Sequence, residues 1–319
     1  MSEQRVASPR TFPTAGEAAF REKVRGLRRW GRWGEDDQRG AVNLVTPEKV
    51  REAAGLVRLG LPVSLSRAFP VAPAANNPNP AEHYLRRRVR GEHGEGSVTD
   101  YAGVNCHGKA TTHLDALCHV WNHDGMWNGR DAAEVVTGDG VTFGGIEQFA
   151  DGITTRGVLL DVPAFRGASF VEWERQVTGE ELDAVARAAG VEVRPGDALV
   201  IHSGREAWDR AHPRPWGAPD PDGVYRLPGL HASCLDYFHD SDCGVVVWDM
   251  MDAVPNEYGV PHCTHAAIFA LGLPLLDNAL IEPLAQVCRR ESRTDFMLTV
   301  APLPIAGGTG SPVNPIAIL

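Results

Sequence analysis

Apolar and polar positions along this chain follow two periods. From Thr46 to Gly60 the spacing is helical: Val50, Ala53, Ala54 and Val57 share one face. Thr46 suits an N-cap, Pro47 the first turn, Glu48 the positive end of the helix, and Gly60 its stop. PVSLSRAF (62–69) alternates as a strand does. TGEELDAVARAAG (178–190) is a second amphipathic helix, capped by Thr178 with Glu181 three residues on. RGVLLDVPAF (156–165), GDALVIHSG (196–204) and CGVVVWDM (243–250) are nearly continuous apolar runs, the pattern of buried strands. HAAIFALG (265–272) predicts a helix, LPLLDNALI (273–281) a strand, and FMLTVAPLPIAGG (296–308) a β-rich end.

Short apolar strands alternating with helices predict an α/β fold of mixed layers. Residues 1–25 read as a flexible arm with a short helical end, and 26–319 as one catalytic domain. PVAPAANNPNPAEH (70–83) is a loop, rich in Pro and Asn. Residues 84–104 carry the basic run Arg86–Arg88 with Arg90, which reads as a solvated edge, or as an anion-binding or dimer-contact strand. There is no internal repeat, no GxGxxG and no P-loop. GGTGSP, at 307–312, suggests tight turns.

Composition narrows the class. The chain is 43% apolar and 23% charged, as soluble globular domains are. A net charge of −10 argues against a general binder of nucleic acid or anionic membrane. No window resembles a transmembrane span, and the N-terminus lacks the apolar centre of a signal peptide, so a cytoplasmic location is expected. Six cysteines without a CxxC pair are expected to be free thiols.

The candidate chemistry concentrates in NCHGKATTHLDALCHVWNHDGMWNG (105–129). Four of the twelve histidines lie here (His107, His113, His119 and His123), with Asp115 and Asp124. Residues i and i+2 share a strand face, and i and i+4 share a helix face. A strand ending near His113 and a helix starting near Asp115 would therefore bring His113, Asp115 and His119 together. Such a set suits Zn²⁺ or Mn²⁺; the alternative is a structural His/Asp hydrogen-bond cluster. Downstream, His262 and His265 open the helix that Gly272 ends, and Asp277 lies on the next strand. His265 and Asp277 could complete the first cluster. His202, Arg205 and His231 are possible site residues at strand ends.

THLDALCH resembles the HxGTHxDxPxH signature of the cyclase family, also called kynurenine formamidase-like. The likeness extends to WGEDDQRGAVNLVTPEKV, RGVLLDV, RPGDALVIHSG, PGLH and GGTGSPVNPIAIL. The family contains arylformamidases, isatin hydrolase, a lactone hydrolase and proteins named polyketide cyclases. The resemblance implies a swivelling β/β/α domain with a central mixed sheet or barrel flanked by helices. It also implies a homodimer or homotetramer, a small-molecule substrate, and a Zn²⁺ or Mn²⁺ centre held by His113, Asp115, His119, His265 and Asp277. Three positions depart from the pattern. Lys109 stands where the first motif histidine belongs, Thr111 replaces a glycine and Leu117 a proline. A cation at position 109 repels a second metal, so one metal per chain is expected.

On this reading the protein hydrolyses an amide, lactam or lactone. His119 or Asp277 takes the proton from water, and Lys109 steadies the oxyanion or a substrate carboxylate. His107 and His262 contact the substrate, and Phe69, Trp121 and Trp127 line its pocket. Two alternatives stay open: a non-hydrolytic cyclase or dehydratase acting on an aromatic or polyketide-type substrate, and a binding protein without turnover.

Overall fold

The computed structural model describes residues 15–91 and 94–319. Its centre is a curled, mixed nine-stranded sheet. In chain order its strands are β1 (Pro62–Ser64), β4 (His113–Asp115), β7 (Ile153–Asp161), β8 (Ala198–His202), β9 (Val245–Trp248), β10 (Leu275–Asp277), β11 (Asp295–Val300), β12 (Gly310–Pro312) and β13 (Ile316–Ile318). Across the sheet they run β1-β13-β11-β7-β8-β9-β10-β4-β12. Two ribbons stand apart from it: β2 (Glu82–Arg90) with β3 (Glu95–Gly103), and β5 (Val136–Thr137) with β6 (Gly140–Val141).

Neighbours β7, β8, β9 and β10 are parallel, and helices make every crossover between them. Helices cover both faces of such strands, so nothing selects alternation. Ala198–His202 and Val245–Trp248 are accordingly buried at every position. In open α/β sheets, ligands bind beyond the carboxyl ends of the parallel strands. Asp161, His202, Asp249 and Asp277 all stand at that edge.

Local signals place the helices. Thr46 accepts a hydrogen bond from Lys49 N and opens Pro47–Ala54. Thr178 accepts one from Glu181 N and opens Gly179–Ala188. Each such cap is worth about 1 kcal/mol. The helical end expected of the arm is a helix from Ala15 to Gly26, whose Val24 is fully buried. Residues 1–14 lie outside the described residues. All six cysteines are free. No helix among the described residues is long and apolar enough to cross a membrane.

Candidate metal centre

Strand pairing assembles the site. On β4, His113 and Asp115 point to one face while Leu114 enters the core, fully buried. β10 pairs antiparallel with β4 and sets Asp277 opposite His113. β12 pairs on the other edge and sets Gly310 opposite Asp115. A side chain at Gly310 would meet His107, since a Cβ there would lie 2.6 Å from its Cε1. The glycine therefore lets His107 approach Asp115. His119 is reached by a turn rather than the expected helix: His119 N donates to Ala116 O (3.0 Å). Ala116 N and Cys118 N donate to Thr309 O and Gly144 O, so the backbone of this segment is committed to other loops instead of a helical ladder.

Asp115 is fully buried, and neither carboxylate oxygen has a hydrogen-bond partner. Four imidazoles surround it. His107 Nδ1, His113 Nε2 and His119 Nε2 lie 3.0, 3.3 and 3.9 Å from its Oδ1. His265 Nε2 lies 3.9 Å from its Oδ2. Asp277 Oδ2 stands 3.3 Å from His265 Nε2 and 3.8 Å from His113 Nε2. Ligand atoms of His107, Asp115 and His119 lie within 4.8 Å of one another, as do those of His113, Asp115 and Asp277.

The outer atoms of these side chains are held. His113 Nδ1 bonds Thr111 O (2.9 Å), and His107 Nε2 bonds Thr309 Oγ1 (2.9 Å). His265 Nδ1 bonds Asp252 Oδ2, and Trp248 Nε1 donates to Asp277 Oδ1 (2.5 Å). In each case the other nitrogen or oxygen is left facing inward, as in carboxylate–histidine–metal triads. A buried carboxylate without partners is costly unless a cation meets it. The orphaned oxygens, the four inward nitrogens and Asp277 therefore fit a divalent cation.

Electrostatics carries the same sign. Burial raises the Asp115 pKa, but His113, His107 and His119 outweigh it and hold the carboxyl well below its ordinary value. Burial lowers His265, but Asp252 and Asp277 pull it well above the usual imidazole range. His107, lowered by burial and raised by Asp115, rises to about 10. His119 falls to about 4, driven by burial, with His107 and His265 adding to it. The pocket thus calls for positive charge.

A clamp behind the site holds the loop between His107 and His113. Asn278 Nδ2 donates to Gly108 O (2.8 Å) and Thr111 O (3.0 Å). Arg205, fully within the protein, donates to Asn278 Oδ1 (2.6 Å) and Lys109 O (2.5 Å).

The structure sorts the residues expected from sequence. His113, Asp115, His119, His265 and Asp277 come together, and His107 joins them as a candidate ligand rather than a substrate contact. Lys109 turns elsewhere: its Nζ donates to Gly217 O (3.1 Å) and lies 4.1 Å from the Tyr225 ring centre. Burial lowers its pKa to about 8, against the pull of Asp252. His262 and Trp121 line a cleft of about 1190 Å³, with Phe20, His123, His265 and Phe269. Trp127 does not line it. That side chain is fully buried, its Nε1 donates to Asp37 O (2.9 Å), and it packs on Trp33, because a large ring behind Gly272 fills the core. Phe69 is exposed on the 70–83 side and does not line the cleft. His231 pairs with Glu257 and Ser233, outside the centre. Sequence reasoning missed Asp252, Trp248 and Asn278. The acids of WDMMD just past an apolar strand were the available signal for Asp252.

Similarity to known proteins agrees with this geometry. A solved structure titled as a novel cyclase superposes with a TM-score of 0.79 at 29% identity, covering 93% of this chain and 99% of that one. An isatin hydrolase bound to the product analogue thioisatinate superposes at 0.57 with 18% identity, over 86% of this chain and 99% of that one. Isatin hydrolase A from Labrenzia aggregata, bound to benzyl benzoate, gives 0.56 and 17%, over 83% and 94%. At these last two identities the likeness is one of fold. Among curated proteins, none matches significantly. The family described as "Putative cyclase" matches residues 57–253, a stretch that includes His107, His113, Asp115, His119 and Asp252. That match spans more than half of the 319 residues, and the chain belongs to the cyclase family.

Proposed function

We propose that this protein is a metal-dependent hydrolase that opens a small amide, lactam or lactone with water. The observation that carries the proposal is Asp115: a fully buried carboxylate with no hydrogen-bond partner on either oxygen, ringed by His107, His113, His119 and His265. His107, His113, His265 and Asp277 would join Asp115 in holding one Zn²⁺ or Mn²⁺, with His119 beside the ion. When bound, such an ion supplies Lewis acidity toward a carbonyl and makes water a stronger acid. The fold shared with isatin hydrolases supports C–N bond hydrolysis as the chemistry.

This chain's own residues do the rest. His119, 24% exposed and 3.9 Å from Asp115, is followed by Val120 and Trp121, both of which line the cleft. It is placed to take a proton from water and return it to the leaving nitrogen or oxygen. Asp277 is fixed by Trp248, whose Nε1 donates to its Oδ1. Trp121 and His262, both at the cleft, orient the substrate's ring and carbonyl. Lys109 is withdrawn onto Gly217 and Tyr225, away from the oxyanion role expected for it.

Elemental analysis of purified protein, beside the Asp115→Asn variant, is the direct test. The expected result is about one Zn or Mn per chain, lost in the variant, with turnover of aryl amides, lactams or lactones by the loaded enzyme alone. No bound metal after reconstitution would overturn the proposal.

A further inference from the structure

The helix Ala15–Gly26 forms part of the wall of the cleft outside the metal centre. Phe20 and Arg21 line that cleft together with Trp121, His262, His265 and Phe269. The helix is fixed in place: Phe20 packs on Tyr258 with ring centres 5.2 Å apart, and beyond the helix end Arg29 N donates to Ala270 O (2.9 Å) and Trp30 Nε1 to Phe269 O (2.6 Å). The packing is close, since a Cβ at Gly16 would lie 2.6 Å from Tyr258 O. His265 opens the helix Ala266–Leu271, and Phe269 stands about one turn further on, so the cleft leads from the candidate centre outward to the first helix. At about 1190 Å³ it is larger than most small-ligand pockets, which leaves room for more of a substrate than the bond that is cut.

The basic residues of this stretch sort by partner. Lys23 pairs with Asp236, Arg25 and Arg28 with Asp124, and Arg29 and Arg32 with Asp242. Asp124, which also lines the cleft, is therefore matched by two cations. Arg21 is the exception. It is partly buried in the cleft wall, yet it makes no ion pair or hydrogen bond among the described residues. Two further acids, Glu17 and Asp131, share the cleft without pairing to it, and Asp131 accepts instead from Ala133 N (2.9 Å). A guanidinium held partly out of water with no counter-charge is costly, and in a cleft it calls for an anion brought by the ligand.

Given the hydrolase reading above, on which this rests, we infer that Arg21 sets substrate specificity: the substrate is an aromatic amide, lactam or lactone that carries a carboxylate away from the bond that is cut. The ring is argued from the walls. Trp121, 51% exposed, and Phe20 offer aromatic faces in the same cleft. The carboxylate is argued from charge. The fork of a guanidinium matches the two oxygens of a carboxylate. One unpaired cation in a cleft that also holds Glu17 and Asp131 suits a monoanion; the second charge of a phosphate would find no partner there and would be repelled by both acids. A carboxylate held at Arg21 fixes one end of the substrate, and binding at a remote group of this kind orients the carbonyl at the other end.

The test has two arms, each run on the unmodified protein, Arg21→Gln and Arg21→Lys, with fold and metal content checked in all three. The first compares kcat/KM for formanilide and for its ring-carboxylated isomers. The expected result is a preference of at least about ten-fold for the best carboxylated isomer, carried by KM, lost in Arg21→Gln and partly kept in Arg21→Lys. Equal use of neutral and carboxylated amides, or a preference that survives Arg21→Gln, overturns the inference and leaves hydrolysis standing. The second arm needs no turnover: titration calorimetry compares benzoate with benzamide. Benzoate should bind more tightly by a similar factor, and Arg21→Gln should abolish the difference, which would uphold the anion site even in a protein that hydrolysed neither amide. Benzoate bound no more tightly than benzamide, or bound equally by the unmodified protein and Arg21→Gln, as direct ligation at the centre would give, overturns it.

Discussion

His107 Nδ1 lies 3.0 Å from Asp115 Oδ1, in an arrangement where neither atom has a hydrogen-bond partner of proper geometry. The His107 ring is pinned from behind by Thr309 and stacked on His119 at 3.7 Å, with the planes 2° apart. An imidazole so fixed, with its free nitrogen aimed at an orphaned carboxylate, is built as a ligand. It offers an imidazole to the centre that Lys109 does not.

That assignment separates two neighbours in sequence. His107→Ala should weaken metal binding at least ten-fold in a chelator competition. Lys109→Met should leave metal content unchanged, because its Nζ serves Gly217 and Tyr225. Metal loss in the lysine variant with retention in the histidine variant would reverse the roles.

Asp252 orients His265 from outside the centre. Its Oδ1 accepts from Thr264 N (2.6 Å) and Thr264 Oγ1 (2.7 Å), while its Oδ2 holds His265 Nδ1. Asp252→Asn keeps the shape and removes the charge. Metal affinity should fall 10- to 100-fold, the usual range for such supports, with the fold retained by circular dichroism. Unchanged affinity would show that Thr264 and the helix start suffice.

Asn278 adopts φ +56°, a left-handed conformation, to reach Gly108 and Thr111. Asn278→Gly relieves the backbone and deletes the clamp, leaving buried carbonyls unpaired. The expected loss is about 2 kcal/mol in urea unfolding. Equal stability of variant and parent would mean that the loop holds itself.

His202 predicts a pH dependence away from the centre. It faces Asp161 at the end of β7 (2.9 Å), Asp249 after β9 (3.9 Å), Glu206 in Arg205–Ala211 and Glu282 in Glu282–Glu291; Arg289 meets Asp161 from behind. Burial lowers its pKa, but Asp161 and Asp249 outweigh burial and raise it. A raised folded pKa contributes stability below the unfolded value, about 6.5, and loses it as pH rises through the folded value. The stability gap between parent and His202→Gln should therefore be widest at pH 6 and shrink by pH 9. Urea titrations at both pH values decide it, and a gap that grows with pH would contradict the assignment.

Much of this was legible in the chain before folding. Two N-caps, the helix stopped by Gly272, three buried parallel strands and the His113–Asp115 pair follow from spacing, because periods of 2 and 3.6 are properties of the backbone. The resemblance of THLDALCH to the cyclase signature also gave the family and the distant partners His265 and Asp277. Spacing could not reveal that His119 arrives by a turn, because Thr309 and Gly144 take the local backbone hydrogen bonds. Nor could it separate Trp121 in the cleft from Trp127 in the core, since both are large aromatics in one polar segment.

Local spacing and composition set the element types, the acidic character and the residues able to bind a metal. Tertiary structure alone decided which of them meet. It placed His107 rather than Lys109 beside Asp115 through a glycine on a strand almost 200 residues later, recruited Asp252 and Asn278 as supports, and left the β2–β3 ribbon uncovered. The physical reason is that strand register and loop closure are non-local: they depend on which surfaces the whole chain buries, and no short window of residues contains that information.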